Sequence, residues 1–322
     1  MNSEIELDKI IEIIKNAKKI GIFAHVSPDG DAIGSSLAMY MGLVQLKKEV
    51  DVICDVYSGS FNFLPCLDKI KTEGTKDYDL CIALDCADKK RLYDPNNSFD
   101  AAPTTVSIDH HASNTFFAMN NYVEENSPAA CKTLIKVLRR LNINITKEIG
   151  EALMTGIITD SGGFRYDTVD DETFEFAAQM LDIGVNISKI YLTTFDIQTK
   201  AQFKLTSIAT SRLEFVSNGR IAITYITAED IAKTKAKTGD HEGIVNVGRN
   251  VEGVQVSIFL REDVDGYKVS LRSNDATDVA EIAKAFDGGG HSKAAGCTID
   301  EPLEIAMKKL IKETVKNLWM VS

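Results

Sequence analysis

The chain has 322 residues, of which 44% are hydrophobic and 26% are charged, a composition typical of folded globular proteins. Its length predicts two domains, and no apolar run reaches the ~20 residues needed to span a bilayer. The net charge of −11 argues against a surface that grips long nucleic acid, although metal ions and a few arginines can still neutralise a small polyanion.

The N-terminal half alternates helices with short apolar strands. Its first segment reads as an amphipathic helix rather than a secretion signal, and the six cysteines form no CxxC pair, so we expect a cytoplasmic protein with free thiols and no membrane partner. Helices are predicted at 5–18, 32–46, 128–141 and 147–159. Strands are predicted at 20–24, 49–56, 79–84 and 105–108. This alternation favours parallel βαβ units with ligands at the carboxyl ends of the strands.

The C-terminal half has a different pattern. Helical segments are predicted at 171–183 and, with an interruption, at 185–209. Strands are then predicted at 213–216, 221–227, 254–260 and 267–272, with helices at 277–285 and 301–318. We expect an α/β protein with a parallel-sheet domain at 1–190, a helical connection at 191–210 and a smaller α/β domain at 211–322, with a cleft between the domains.

Side chains of the types that can bind metals lie at positions where predicted strands, and one predicted helix, end. They are His25, Asp29 and Asp31 in HVSPDGD, Asp85 in DCAD, Asp109, His110 and His111 in DHH, and Asp160 after GIIT. A single Asp in such a place is usually a helix cap or a solvated turn residue. Four such segments together favour a metal site, because converging carboxylates repel one another unless cations are present.

Imidazole and carboxylate are the ligands expected for manganese, and they also accept iron, cobalt or magnesium. Asp29 and Asp31 are two positions apart in an extended loop, so they can face different ions. A pair of ions suits the hydrolysis of phosphate esters.

These segments resemble the motifs of the DHH family of phosphoesterases, in the order HVSPDGDAIGSS, DCAD, DHH and GIITDSGGF. The C-terminal part resembles the associated DHHA1 domain through VSLRS and FDGGGHSKAAG. Within the family the chain is most similar to short enzymes that degrade nanoRNA and dephosphorylate 3′-phosphoadenosine 5′-phosphate (pAp). Ser161 stands at a position where the family commonly has Thr, and the serine keeps the hydroxyl group.

The resemblance implies a site for two Mn²⁺ ions. One ion would be held by His25, Asp29 and Asp85, and the other by Asp31, Asp85, His110 and Asp160. Asp85 would then bridge the ions, while His111 would orient the phosphate or protonate the leaving oxygen. Asp109 would fix an imidazole by a hydrogen bond.

For the second domain, the resemblance implies substrate binding by Arg272, Ser273, Gly288, Gly289, Gly290 and His291. Glycine backbone can approach an anion closely, and arginine can bond two phosphate oxygens at once. The alternative for GGGH is a flexible turn with an incidental histidine. His241 is expected to be solvent-facing or adventitious and lies outside the predicted site.

The expected activity is hydrolysis of oligoribonucleotides of two to five nucleotides, of pAp to AMP, or of both. Alternatives are a phosphodiesterase for cyclic or linear dinucleotides such as pApA, an inorganic pyrophosphatase, and a nucleotide-binding regulator without catalysis. A homodimer is expected only because homodimers are common.

Overall fold

The computed structural model of the protein describes residues 3–237 and 239–319. The chain forms two compact units that meet in sequence between Ile197 and Gln198. The predicted connection at 191–210 contains a π-helical turn, Leu192–Asp196, and most of the first helix of the second unit.

The first unit is built on a six-stranded parallel sheet. Its strands are β1 (Lys19–Phe23), β2 (Glu49–Ile53), β3 (Ile70–Lys71), β4 (Leu80–Leu84), β5 (Thr105–Asp109) and β6 (Asn120–Val123). The strand order is β3-β2-β1-β4-β5-β6, so the winding direction changes between β1 and β4. In such sheets the crevice at this change of direction, at the carboxyl ends of the strands, is the usual ligand site.

Both faces of this sheet are buried, which explains why its central strands are continuous apolar runs. Ile20 and Ile22 of β1 pack in one core cluster, and Phe23 packs in a second. The helices are α1 (Ser3–Asn16), α2 (Gly30–Gln45), α3 (Ser98–Ala101), α4 (Ala130–Arg140), α5 (Lys147–Asp160), α6 (Asp171–Asp182) and α7 (Ile187–Tyr191). Short 3₁₀ helices occur at Gly59–Phe61, Leu67–Lys69 and Lys89–Arg91.

Glycines allow α2 and α5 to pack closely. A Cβ atom at Gly34 would lie 2.4 Å from the carbonyl oxygen of Ala152, and one at Gly156 would lie 2.4 Å from Oδ1 of Asp31. Real Cβ atoms do not approach other atoms so closely, so a larger residue would push the helices apart. The two helices carry Asp31 and Asp160, and their close packing therefore positions both carboxylates.

The second unit has a six-stranded mixed sheet of order β11-β12-β10-β9-β8-β7. Its strands are β7 (Glu214–Val216), β8 (Ile221–Ile226), β9 (Val256–Asp263), β10 (Gly266–Ser273), β11 (Gly289–His291) and β12 (Ala294–Ile299). Only β8 and β9 pair in parallel among the described strands of this sheet. The helices are α8 (Lys200–Ser211), α9 (Ala228–Thr234), α10 (Val245–Arg249), α11 (Val279–Lys284) and α12 (Leu303–Asn317).

The predicted α/β class is confirmed, and several short elements were missed. The strand β6 has the polar sequence NNYV, and β12 has the small-residue sequence AAGCTI, so neither shows the apolar pattern of a strand. The helix predicted at 185–209 is broken before Thr199, whose side chain caps α8 by accepting from the N–H of Gln202 at 2.9 Å. No helix in the described part of the chain is long and apolar enough to cross a membrane.

Candidate metal centre

The loop after β1 and the first turn of α2 supply three of the predicted ligands, His25, Asp29 and Asp31. Asp29 caps α2, since its Oδ1 accepts from the N–H groups of Asp31 at 3.0 Å and Ala32 at 3.1 Å. Asp31 lies in the first turn of α2 and is fully buried. Its oxygens accept from the N–H groups of Ala130 at 2.5 Å and Cys131 at 2.9 Å, where α4 begins. The cap and the buried bonds therefore fix the two carboxylates.

Asp85 lies close to three histidines, and Nδ1 of His111 is 3.6 Å from its Oδ1. Its Oδ2 is 3.6 Å from Nε2 of His25, and its Oδ1 is 3.5 Å from Nε2 of His110. Asp85 has a φ of 53°, an unusual left-handed conformation for a non-glycine residue. It is also buried, and its Oδ1 has no hydrogen-bond partner in the described structure. Such strain and such an unsatisfied oxygen are features of functional sites.

His25 and His110 present the same ring nitrogen. Nδ1 of His110 lies 2.9 Å from the carbonyl oxygen of Ser127, and Nδ1 of His25 lies 2.8 Å from that of Val26. A carbonyl oxygen only accepts, so each Nδ1 carries the proton and each Nε2 keeps a lone pair in the neutral ring. Both Nε2 atoms face carboxylates, and that of His110 is 3.2 Å from Oδ2 of Asp160. This tautomer is the one required of a metal ligand.

The six predicted metal ligands are found in two groups whose ligand atoms lie within 4.8 Å of one another, and a further group of this kind joins Asp85 and His110 to Asp109 and His111. One group is His25, Asp29 and Asp85, and the other is Asp31, His110 and Asp160. Asp85 also approaches the second group through its contact with His110. Asp29 and Asp31 thus lie in different groups, which is the arrangement that two metal ions need.

The electrostatics of the cluster show that it holds excess negative charge. Burial raises the pKa of Asp31 well above its usual value, and the charges of Asp85 and Asp160 raise it further. Burial also raises the pKa of Asp160 to about 7, although His110 opposes this. Burial acts to lower the pKa of His25 and of His110, but neighbouring carboxylates hold both pKa values well above normal. A divalent cation would relieve this repulsion.

His111 adjoins Asp85 and is held by its own set of hydrogen bonds. Its Nδ1 is 2.8 Å from Oδ1 of the fully buried Asp109. The other oxygen of Asp109 accepts from Nδ2 of Asn114 at 2.6 Å. Asn114 also donates to the carbonyl oxygen of Cys86 at 3.3 Å, so its amide orientation is fixed. These hydrogen bonds hold the His111 ring with its Nε2 edge turned away from Asp109.

The second cluster of predicted residues lies on the sheet of the second unit. Arg272 on β10 pairs with Ala294 on β12, and Ala294 pairs with His291 on β11. Paired residues on neighbouring strands project to the same face, so Arg272 and His291 share a face about 10 Å apart with a small side chain between them. Ser273 is buried and its hydroxyl donates to the carbonyl oxygen of Asp275 at 3.1 Å, so its hydroxyl is engaged within the chain.

The three predicted glycines differ in what the fold requires of them. A Cβ atom at Gly288 would lie 2.3 Å from the carbonyl oxygen of Gly296, and Gly290 has a φ of 141°. Close packing explains the glycine at 288, and the backbone conformation explains the glycine at 290. A Cβ atom at Gly289 would have nothing within 4 Å, and its φ lies outside the left-handed region. GGGH is an edge strand with one glycine that packing does not explain.

His241 is half-buried, so the expectation that it faces solvent is wrong. Burial lowers its pKa to about 4, with further lowering by the charges of Arg261 and Lys268. These neighbours are distant in sequence, so the pattern around His241 gave no sign of them.

Known proteins resemble the chain over nearly its full length. Residues 19–157 match the family model described as "DHH family, N-terminal domain", and residues 218–317 match the "DHHA1 domain". The bifunctional oligoribonuclease and PAP phosphatase NrnA of Thermus thermophilus is 31% identical to it, over 90% of this chain and 87% of that protein. The chain belongs to the DHH phosphoesterase family. It is therefore a hydrolytic enzyme with a DHH domain and a DHHA1 domain.

Solved structures agree with this membership. The crystal structure of an exopolyphosphatase-related protein from Bacteroides fragilis is 28% identical, with a TM-score of 0.89 over 97% of this chain and 96% of that chain. The structure of RecJ from Thermus thermophilus in complex with Mn²⁺ is 13% identical, with a TM-score of 0.54 over 98% of this chain and 55% of that chain. At this identity the RecJ comparison shows the DHH fold alone.

Some groups that build the cluster carried no signal in the sequence. The carbonyl oxygen of Ser127 and the N–H groups of Ala130 and Cys131 act through the backbone, which any residue supplies. Asn114 does act through its side chain, and its position shortly after the DHH motif was the only feature of the sequence that pointed to this role.

Proposed function

We propose that this enzyme hydrolyses short oligoribonucleotides to mononucleotides and pAp to AMP, with two divalent cations in the DHH domain. The observation that carries this proposal is the position of Asp85, which directs one oxygen toward each of two imidazoles. The buried Asp85 Oδ1 lacks a hydrogen-bond partner in the described structure, as expected of an oxygen that coordinates a cation.

The residues present fit a pair of Mn²⁺ ions. His25, Asp29 and Asp85 would hold one, and Asp31, Asp85, His110 and Asp160 would hold the other. Imidazole with several carboxylates is a donor set for manganese that magnesium, cobalt or iron can share. When bound, such a pair promotes ionisation of water and stabilises charge on a phosphoryl group.

His111 would place a proton near the leaving oxygen. Asp109 accepts from Nδ1 of His111 and so favours the protonated ring, much as a buried carboxylate orients a catalytic imidazole elsewhere. Burial acts to lower the pKa of His111, but Asp109 and Asp85 raise it above its usual value. We assign His111 as the proton donor and Asp109 as the residue that positions it.

The DHHA1 domain would bind the nucleotide. Arg272 and His291 project from one face of the sheet, and Gly289 exposes backbone with no packing reason for its missing side chain. An arginine fork and bare backbone on the same face of the sheet are suited to a phosphate and its sugar. Ser273 would act indirectly, by holding the turn after Arg272 through its bond to Asp275.

The substrate class rests on two observations. The related Thermus thermophilus protein is named as an oligoribonuclease and PAP phosphatase. The net charge of −11 disfavours long nucleic acid, whereas metal ions and Arg272 can neutralise a few phosphates. Short oligonucleotides and pAp are consistent with both observations.

A substrate panel tests the proposal. With Mn²⁺ present, we expect release of mononucleotides from oligoadenylates of two to five nucleotides and of phosphate from pAp. Turnover of only cyclic diadenylate would instead favour a cyclic-dinucleotide phosphodiesterase, and turnover of only pyrophosphate a pyrophosphatase. Binding of pAp with no product at saturating Mn²⁺ would favour a regulator without catalysis.

A further inference from the structure

The DHHA1 sheet has one face packed beneath α11 and α12, and its opposite face is apolar at β8 and β9 but polar at β10, β12 and β11. Val269 and Leu271 of β10 point into the core beneath α11 and α12. The residues between them in sequence point the other way. We call this opposite side of β10, β12 and β11 the polar face, and it carries Lys268, Ser270, Arg272, Ala294, Gly296, Thr298, Gly289 and His291.

The strand register arranges the polar face in three rows. Arg272, Ala294 and His291 form the first, Ser270, Gly296 and Gly289 form the second, and Arg261 of β9, Lys268 and Thr298 form the third. The first and third rows therefore carry cationic side chains. The middle row has only small side chains on β10, β12 and β11, and a Cβ atom at Gly289 would meet nothing within 4 Å. The adjoining β9 residue, Phe259, is buried with Leu205 of α8 and Val245 of α10. A ligand can lie across the middle row without meeting a bulky group.

The third row keeps a positive charge despite a nearby carboxylate. Oδ2 of Asp263 lies 3.2 Å from Nη2 of Arg261 and 3.2 Å from Nζ of Lys268. One carboxylate thus faces two cations, and the Lys268 side chain remains 58% exposed. An anion can reach Lys268 without displacing a buried group.

The pKa of His241 indicates the sign of the electrostatic potential near Arg261 and Lys268. After burial, the charges of Arg261 and Lys268 contribute most to lowering its pKa to about 4, and the opposing effects of Asp240 and Asp263 are smaller. The positive charges therefore dominate at this position, as an anion-binding site requires.

We propose that Lys268 and Arg261 form a second phosphate-binding subsite, which holds a backbone phosphate of an oligonucleotide whose other end lies at Arg272 and His291. The inference rests on the proposed function. Arg272 and Lys268 are four residues apart on β10, which corresponds to ~13 Å. A stacked strand advances ~3.4 Å per nucleotide, so this distance spans about four nucleotides. A mononucleotide such as pAp does not reach from one row to the other.

Kinetics with substrates of two lengths test this subsite. For Lys268→Ala we expect the ratio of the KM for 5′-phosphorylated pentaadenylate to the KM for pAp to rise about fivefold, the effect of losing one exposed charge contact. The salt dependence of the pentaadenylate KM should weaken by about 0.7 in log–log slope, as for one lost phosphate contact with a single strand. For Asp263→Asn we expect the same ratio to fall, because a competing carboxylate is lost.

Lys308→Ala is the matched control, since Lys308 is an exposed lysine on α12, away from the polar face. It should leave the ratio and the slope unchanged. An unchanged ratio in Lys268→Ala, while wild-type enzyme hydrolyses both substrates, would refute the subsite and leave the proposed function standing. If wild-type enzyme hydrolyses neither substrate, the proposed function fails and the subsite fails with it.

Discussion

The two clusters of candidate site residues are built in different ways. In the DHH domain the side chains are mostly buried, and fixed hydrogen bonds to backbone groups orient them. In the DHHA1 domain His291 is exposed, and strand register places it on the same face as Arg272. The first arrangement suits small cations that need accurate geometry, and the second suits a larger, variable ligand.

Two buried carboxylates illustrate the difference. Asp85 and Asp230 both have a lowered pKa, although burial opposes this in each. Asp230 bonds both terminal nitrogens of Arg212 and the backbone and hydroxyl of Thr227, so its charge is fully compensated within the chain. Asp85 depends on His25 and His110 and keeps one oxygen without a hydrogen bond in the described structure. The contacts of Asp230 therefore stabilise the fold, whereas Asp85 keeps an oxygen that is available to a ligand.

The largest effect is expected from Asp85→Asn. The change should lower kcat for pAp by about a thousandfold or more, because the carboxylate whose two oxygens face the two ligand groups becomes a neutral amide. Circular dichroism should show an intact fold. Turnover within tenfold of wild type would mean that Asp85 is not the shared ligand.

A smaller loss is expected from Asp109→Asn, since Asp109 acts through His111. We expect kcat to fall by about 10- to 100-fold with little change in KM. The amount of bound metal, measured by mass spectrometry of the protein's ions, should remain that of wild type. Loss of metal along with activity would show that Asp109 supports the metal ligands instead.

Two glycine substitutions compare the domains directly. Gly156→Ala should destabilise the DHH domain by about 1–3 kcal/mol and weaken metal binding, because the new methyl group would collide with Asp31 and Cys131. Gly289→Ala should change stability by less than about 0.5 kcal/mol and raise the KM for pAp several-fold. Urea unfolding and steady-state kinetics measure both. Equal destabilisation by the two changes would contradict the assignment of Gly289 to ligand contact.

The smallest effect concerns Asp230 and pH. Its pKa is about 2 in the folded chain, against a usual 3.8, so its bonds stabilise the fold above about pH 4. This stabilisation is lost as the pH falls toward 2. Asp230→Asn should cost about 1–2 kcal/mol in urea unfolding at pH 7, and the difference from wild type should shrink toward zero near pH 2. A difference independent of pH would show that ionisation of Asp230 is not the cause.

The sequence predicted the class of the fold better than it predicted the short elements of the backbone. The α/β class follows from short apolar strands that alternate with helices, and the segments that carry His25, Asp85 and Asp160 follow from two such strands and one helix that end in polar residues. The strand β12 was missed because its alanines and glycine lack a β pattern, yet its register is what places Arg272 and His291 on one face. His241 was misjudged because its neighbours are brought near only by tertiary structure.

The central claim is that the DHH domain holds two divalent cations that share Asp85. Calorimetric titration of metal-free protein with Mn²⁺ tests it most directly, with Asp85→Asn in parallel. We predict two bound ions per wild-type chain and weakened binding of both in the variant. A single site in the wild-type protein, or a variant that loses one ion and binds the other normally, would contradict the claim.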